Sequence, residues 1–173
     1  MDKFHTCCFT GHRPEKLPWR NDESDFRCVA LKAELDQVLE EVYQERGMRH
    51  FLCGMARGTD MYFCEAALAL RGRHQDVTVE AVIPCEEQAT LWKENERNRY
   101  FHLVEECDYE SLVQCRYDKD CMLRRNRYMI QRATLLIAVF DGILGGTMYT
   151  INQAKKQRLE VIMLNLEGER ALG

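Results

Sequence analysis

The sequence predicts an open, mostly parallel α/β sheet, and two observations lead there. Short apolar runs alternate along the chain with longer segments whose apolar residues recur at helical spacing. The most hydrophobic run, residues 135–140, shows no polar alternation, as expected of a central parallel strand covered on both faces. A third observation concerns function: three glycine-containing loops each follow an apolar run. In sheets of this class ligands bind beyond the carboxyl ends of the strands, where the strand order reverses, so all three loops are expected on that edge.

Residues 4–9 read as a short buried strand ended by Gly11 and Pro14. Ser24 can cap a helix in which Cys28, Leu31, Leu35, Val38, Leu39 and Val42 repeat at helical spacing, and Gly47 closes it. Residues 50–53 form a second strand, 60–71 a second helix, and 77–83 a third strand stopped by Pro84. Residues 88–106 are charged throughout and read as a solvated outer helix. Residues 111–115 form a short edge strand, 119–132 a helix, 135–140 the central strand, 147–158 a helix and 161–164 a last strand. No Pro/Gly/Ser-rich linker, repeat or low-complexity segment divides the chain, so residues 1–173 are read as one domain.

A domain of 173 residues can bury about 70% of its unfolded surface. Apolar content of 46% and charged content of 30% are ordinary for a soluble globular protein. A net charge of −4 and a pI near 5.8 argue against a protein whose main work is to hold a nucleic-acid backbone. No apolar run reaches the length of a membrane span and the N-terminus has no apolar signal core, so a cytoplasmic protein without membrane contact is expected. Nine cysteines are odd in number, evenly spread and free of any C-x-x-C pair. They read as reduced core residues, with neither a disulfide framework nor a metal site.

The candidate site is built from the loops. In residues 51–60 (FLCGMARGTD), Gly54 and Gly58 let a ligand approach the backbone and Arg57 can pair with a phosphate. Thr59 or Asp60 can cap the next helix, Asp60 alternatively facing a ribose hydroxyl. In the first loop, Thr10-Gly11-His12-Arg13-Pro14, Arg13 is an anion contact and His12 a weak candidate acid or base. In the third, Gly145, Gly146 and Thr147 open a helix whose N–H groups face the crevice, and Asp141 can accept from a sugar or base. One arginine of the cluster Arg124, Arg125 and Arg127 can reach the same edge. Trp19 and Trp92 read as packing residues with stacking as the alternative. Three loops of this kind suggest a nucleotide-sized ligand.

Residues 51–68 (FLCGMARGTDMYFCEAAL) closely resemble the glycine-arginine signature of the DNA-processing protein A (Smf) family. Residues 122–129 (MLRRNRYM), followed by an apolar strand and Gly-Gly-Thr, resemble the Lonely Guy phosphoribohydrolases and their lysine-decarboxylase-like relatives. Both groups belong to the SLOG superfamily, and the Thr-Gly-His-Arg-Pro loop fits its small bacterial YpsA-like branch. The resemblance implies a Rossmann-like three-layer sandwich with a mostly parallel sheet of about five to six strands. It also implies a nucleotide-derived ligand, similar to ADP-ribose, NAD or a nucleoside monophosphate, and no fixed cofactor. In the phosphoribohydrolases an arginine and a glutamate carry glycosidic cleavage. Arg125 matches the arginine, whereas Thr150 stands where the glutamate would be.

Three functions follow as expectations. The first is a sensor or regulatory module that binds a small nucleotide ligand. The second is a nucleotide N-glycosidase using Arg125, with Asp141 or Glu65 standing in for the missing glutamate. The third, single-stranded DNA binding, is disfavoured by the acidic balance and by the lack of an aromatic-basic stripe. The charge-rich outer helix and the nucleotide-fold relatives also point to a homo-oligomer of unspecified symmetry.

Overall fold

The computed structural model describes residues 2–167 and 169–170. Six strands form one sheet: β1 (Thr6–Thr10), β2 (His50–Cys53), β3 (Thr78–Ile83), β4 (Tyr109–Leu112), β5 (Leu135–Val139) and β6 (Glu160–Leu164). Their order is β4-β3-β2-β1-β5-β6, and every neighbouring pair is parallel. The chain first steps outward from β1 to β4, then crosses back to β5 on the other side of β1. The order therefore reverses between β1 and β5, which is where a crevice opens in such sheets.

Five helices connect the strands: α1 (Phe26–Arg46), α2 (Thr59–Arg73), α3 (Glu94–Glu106), α4 (Cys121–Arg132) and α5 (Gly146–Lys156). Alternate strand residues point to opposite faces, and each face has its own helices. Cys7, Phe9, Phe51, Cys53, Val79, Ile137 and Val139 pack with α1, α2 and the inner residues Tyr100 and Leu103 of α3. Cys8, Leu52, Val82, Leu136 and Ala138 pack with Met129 and Ile130 of α4 and Ile151 and Ala154 of α5. Strands covered on both sides need apolar residues at both parities, which is why residues 7–9 of β1, 51–53 of β2 and all of β5 read as unbroken apolar runs. Seven of the nine free cysteines are buried among these layers, while Cys107 is half-buried and Cys115 exposed.

Most element boundaries fall within two residues of the sequence expectation, with four informative exceptions. Residues 3–5 are a 3-10 turn rather than strand, because the Asp2 carboxylate accepts the Phe4 N–H at 3.0 Å and winds the backbone. Ser24 does not cap α1. The Asp25 carboxylate does so, accepting the Arg27 N–H at 2.9 Å, while Ser24 is held by Asp22. Residues 88–92 are not helical: they form turns folded over the sheet's carboxyl edge, and α3 begins only at Glu94. β4 lies two residues earlier than expected, because Asp108 pairs with Val79 through both its N–H (2.9 Å) and its carboxylate (2.8 Å) and sets the register from there. Gly47, with φ of 68°, ends α1 as expected.

Candidate functional site

The loop after β1 is the hub of the carboxyl edge. The carbonyl of His12 accepts both the Thr59 N–H (3.1 Å) and the Thr59 hydroxyl (3.0 Å), fastening this loop to the start of α2. Gly58 makes the junction feasible: its φ is 86°, and a Cβ there would lie 2.6 Å from the His12 carbonyl oxygen. The His12 ring reaches the third loop. Its Nε2 accepts the Asp141 N–H at 3.2 Å, and its Nδ1 lies 3.5 Å from the Thr147 hydroxyl, which itself donates to Gly11 O at 3.1 Å. The same Nε2 also lies 3.2 Å from Asp141 Oδ1, so a proton on Nε2 faces that carboxylate and a proton on Nδ1 faces the Thr147 oxygen. Burial pushes the His12 pKa below its ordinary value, with the Asp141 charge opposing and the Lys16 charge adding to the shift. His12 thus clamps the first loop to the third.

Arg125 arrives from α4 and is buried. Its Nη1 donates to the Gly54 carbonyl and lies 3.4 Å from Asp60 Oδ2, and its Nε donates to Asn126 Oδ1 at 2.8 Å. The fit is close: a Cβ on Gly54 would come within 2.6 Å of Arg125 Cζ and 2.8 Å of Asp60 Oδ2. Asp60 also accepts the Ala56 N–H at 3.1 Å. Burial raises its pKa above the usual carboxylate range, with the charge of Arg125 opposing. The Nη2 of Arg125 carries no hydrogen bond among the described residues, and the side chain lines the crevice.

The crevice is a cavity of about 320 Å³ at the switch point between β1 and β5. Thr10, Gly11, His12, Arg13, Asp60, Arg125, Gly146 and Thr147, all expected from sequence, line it. So do Lys16, Ala56, Met122 and Asn126, which the sequence reading missed. Beside it opens a second chamber of about 500 Å³, with Gln88, Thr90, Leu91, Trp92 and Tyr117 in its wall. The two share Arg13, Ala56 and Met122 and so adjoin.

Other expected residues have different positions. Arg57 lines the second chamber and is engaged by Glu15 at 2.6 Å and Glu96 at 3.2 Å. Gly54, Gly58 and Thr59 lie beneath the cavity as its scaffold, and Asp141 borders a separate groove with Phe140 and Leu166. Trp19 is a packing residue whose Nε1 donates to Tyr62 at 3.3 Å, whereas Trp92 faces the chamber. Glu65 is outside the crevice, bound to Arg99 at 2.8 Å. Thr150 is buried and donates to Gly146 O at 2.9 Å.

The charge of the cavity is one-sided. Its two carboxylates are already engaged, Glu15 by Arg57 and Asp60 by Arg125. Arg13 and Lys16 hold no side-chain hydrogen bond or ion pair among the described residues. Lys16 nonetheless sits against the start of α5, its Nζ being 3.1 Å from where a Gly145 Cβ would stand. That helix end has no acidic residue in its first turn and no side-chain cap, so its partial positive charge and free amides face the same cavity.

An all-parallel six-stranded sheet with helices on both faces and a glycine-rich crevice at its switch point defines a Rossmann-like α/β domain. The chain belongs to the YspA SLOG family, whose model matches residues 7–166. It is 28% identical over 143 residues to the uncharacterized SPbeta prophage-derived protein YoqJ of Bacillus subtilis, covering 76% of this chain and 84% of that protein. A UPF0398 protein of Bacillus velezensis is 27% identical over 152 residues, covering 86% of this chain and 82% of the relative. Among solved structures, DNA processing protein A from Streptococcus pneumoniae superimposes with a TM-score of 0.61 at 17% identity over 94% of this chain. That from Helicobacter pylori gives 0.63, also at 17% identity and 94% coverage. The chain spans 50% and 66% of those two proteins, so the likeness is to one part of each. Among the described residues no helix is long and apolar enough to cross a membrane.

Proposed function

We propose that this protein binds a nucleotide-derived ligand across the two adjoining cavities and acts as a sensor or regulatory module. The observation that carries the reading is the uncompensated positive charge of the smaller cavity. Arg13, Lys16 and the amides of α5 converge there beside the Arg125–Asp60 pair, and no unengaged carboxylate lines it. Cations placed against the positive end of a helix repel one another unless an anion lies between them, and a phosphate is the anion that fits. The larger chamber, with Trp92, Tyr117, Leu91 and Met122, offers a base an apolar and aromatic surface. A ligand of ADP-ribose, NAD or nucleoside monophosphate type has both parts.

Binding is favoured over turnover because glycosidic cleavage needs a carboxylate at the sugar. Thr150 stands where the resemblance expects a glutamate, Glu65 is paired with Arg99, Asp141 is held against His12, and the cavity carboxylates Glu15 and Asp60 are engaged by Arg57 and Arg125. A second reading, single-stranded DNA binding, draws support from the Helicobacter pylori DNA processing protein A, whose structure is described for its single-stranded DNA binding mode. The same phosphate contacts would then hold a strand.

Thermal unfolding with NAD, ADP-ribose, AMP and ATP tests the proposal, beside a variant with Arg13→Gln and Lys16→Gln. At about 100 times the dissociation constant a ligand adds roughly 2.7 kcal/mol. For a domain of this size that raises the midpoint by about 5–11 °C. A rise in the wild type that the variant loses, without release of free base, supports a sensor. No rise with any nucleotide, together with a salt-dependent shift of single-stranded DNA, moves the function to the second reading.

A further inference from the structure

The nucleotide reading leaves open which base the larger chamber takes, and one side chain in its wall bears on that. Gln88 is buried at 7% exposure. Its Nε2 donates to the Met55 carbonyl at 3.0 Å. A backbone carbonyl only accepts, so this contact fixes the amide's orientation: nitrogen toward Met55, oxygen away from it. The oxygen, Oε1, is buried and finds no hydrogen-bond donor among the described residues. Nearly all buried polar atoms in folded proteins have a partner, and an orphan calls for a physical reason.

Two further observations place this orphan in a built feature. The residue it leans on, Met55, adopts φ of 59°, a left-handed conformation that a bulky side chain seldom takes. Strain of that kind persists only where surrounding structure enforces it, and it clusters at ligand sites. Gln88 itself belongs to the turns of residues 86–92 that fold over the carboxyl edge of the sheet, with Leu91 of the same turns 96% exposed at the chamber. The backbone of these turns is held by bonds such as Glu86 N–H to Cys115 O (3.1 Å) and Gln88 N–H to Cys85 O (3.2 Å), whereas the Gln88 side chain is held by one hydrogen bond alone, so it is the amide that can adjust to an incoming group.

We propose that Gln88 selects the base, accepting a hydrogen bond from the 6-amino group of a purine, so that the chamber takes adenine in preference to hypoxanthine. This rests on the nucleotide reading above. The 6-amino group of adenine is a donor and answers an acceptor whose own donor is engaged by Met55. Hypoxanthine carries a carbonyl oxygen at that position, and two acceptors then face each other in a buried chamber. A site whose polar group is left unmatched discriminates strongly against the mismatched ligand.

The test is calorimetric titration of the wild-type chain with ADP and with IDP, which share phosphates and sugar. ADP is expected to bind about 10- to 100-fold more tightly. In Gln88→Met, which keeps the length of the side chain and removes the acceptor, the two affinities should converge, with ADP losing more than IDP. Unfolding of the variant is monitored by its melting midpoint, and the wild-type ratio decides the matter if the variant does not fold. Equal affinities for ADP and IDP in the wild type overturn the role of Gln88 while leaving the nucleotide reading intact. If neither ADP nor IDP binds, the role of Gln88 is overturned, while the nucleotide reading stands or falls with the thermal panel of NAD, ADP-ribose, AMP and ATP.

Discussion

Replacing Arg125 by Met should destabilise the fold through the carboxylate it abandons. The guanidinium and Asp60 are both buried, at 6% and 8% side-chain exposure, and lie 3.4 Å apart. Removing one member of a buried pair costs about 3–5 kcal/mol, mostly because the other charge is left uncompensated. At about 2–4 °C per kcal/mol, the melting midpoint should fall by roughly 6–20 °C near neutral pH. The loss should depend on pH with a definite sign. Burial already raises the Asp60 pKa against the opposing charge of Arg125, and without that charge it rises further. A carboxyl whose folded pKa lies above its unfolded one stabilises in its protonated form, so that contribution is present in acid and lost as pH rises through the folded value. The penalty of Arg125→Met should therefore be smaller at about pH 5 than at about pH 8. Adding Asp60→Asn should recover part of it at the higher pH, which a double-mutant cycle followed by circular dichroism measures. A single variant within about 1 kcal/mol of wild type, or a double variant no better than the single, would refute the view that this pair anchors the crevice.

The cleft cations should behave differently. Arg13→Gln and Lys16→Gln should each weaken nucleotide binding about tenfold and lower the salt slope by about one, while leaving stability within about 0.5 kcal/mol, as titration calorimetry and melting would show. Gly58→Ala forces φ of 86° on a side chain and brings its Cβ within 2.6 Å of a carbonyl oxygen. It should cost about 2–4 kcal/mol by denaturant unfolding. His12, whose pKa burial lowers, should titrate below its ordinary 6.5 in ring-proton NMR. Its contribution to stability is then present above the unfolded value and lost as pH falls through the folded one. A midpoint above 6.5 would mean that Asp141 outweighs burial.

The sheet was legible because burial on both faces leaves an unmistakable trace: residues 135–139 contain no polar residue and neither do Cys7, Cys8 and Phe9. The loops were legible as glycine-rich punctuation after those runs. Lys16 was not, since its place in the cavity comes from the 3-10 turn of Pro14–Lys16, which swings it toward α5. Gln88 was missed for a related reason. Its segment carries charge at helical density, and nothing local reveals that the backbone of Met55 captures its amide and keeps it from joining α3. The ion pairs of Arg57 were hidden for the same reason. Glu15 and Glu96, which engage it, lie 42 and 39 residues away in sequence.

That engagement also shows how an acidic chain can keep a basic crevice. The net charge of −4 is a sum over the surface, whereas a ligand meets only the charges that neighbours have not cancelled. Arg57, Arg99 and Arg170 each bridge two carboxylates, and their positive charge is neutralised where it stands. Arg13 and Lys16 lie among the same kinds of residue, yet Glu15, a carboxylate of the cavity wall, is turned to Arg57. Arg57 thus acts on the crevice by withdrawing a carboxylate from it. Arg57→Gln should release Glu15 toward Arg13 and Lys16 and weaken nucleotide binding with a small change in stability. An affinity unchanged by that substitution would show that the crevice is basic for another reason.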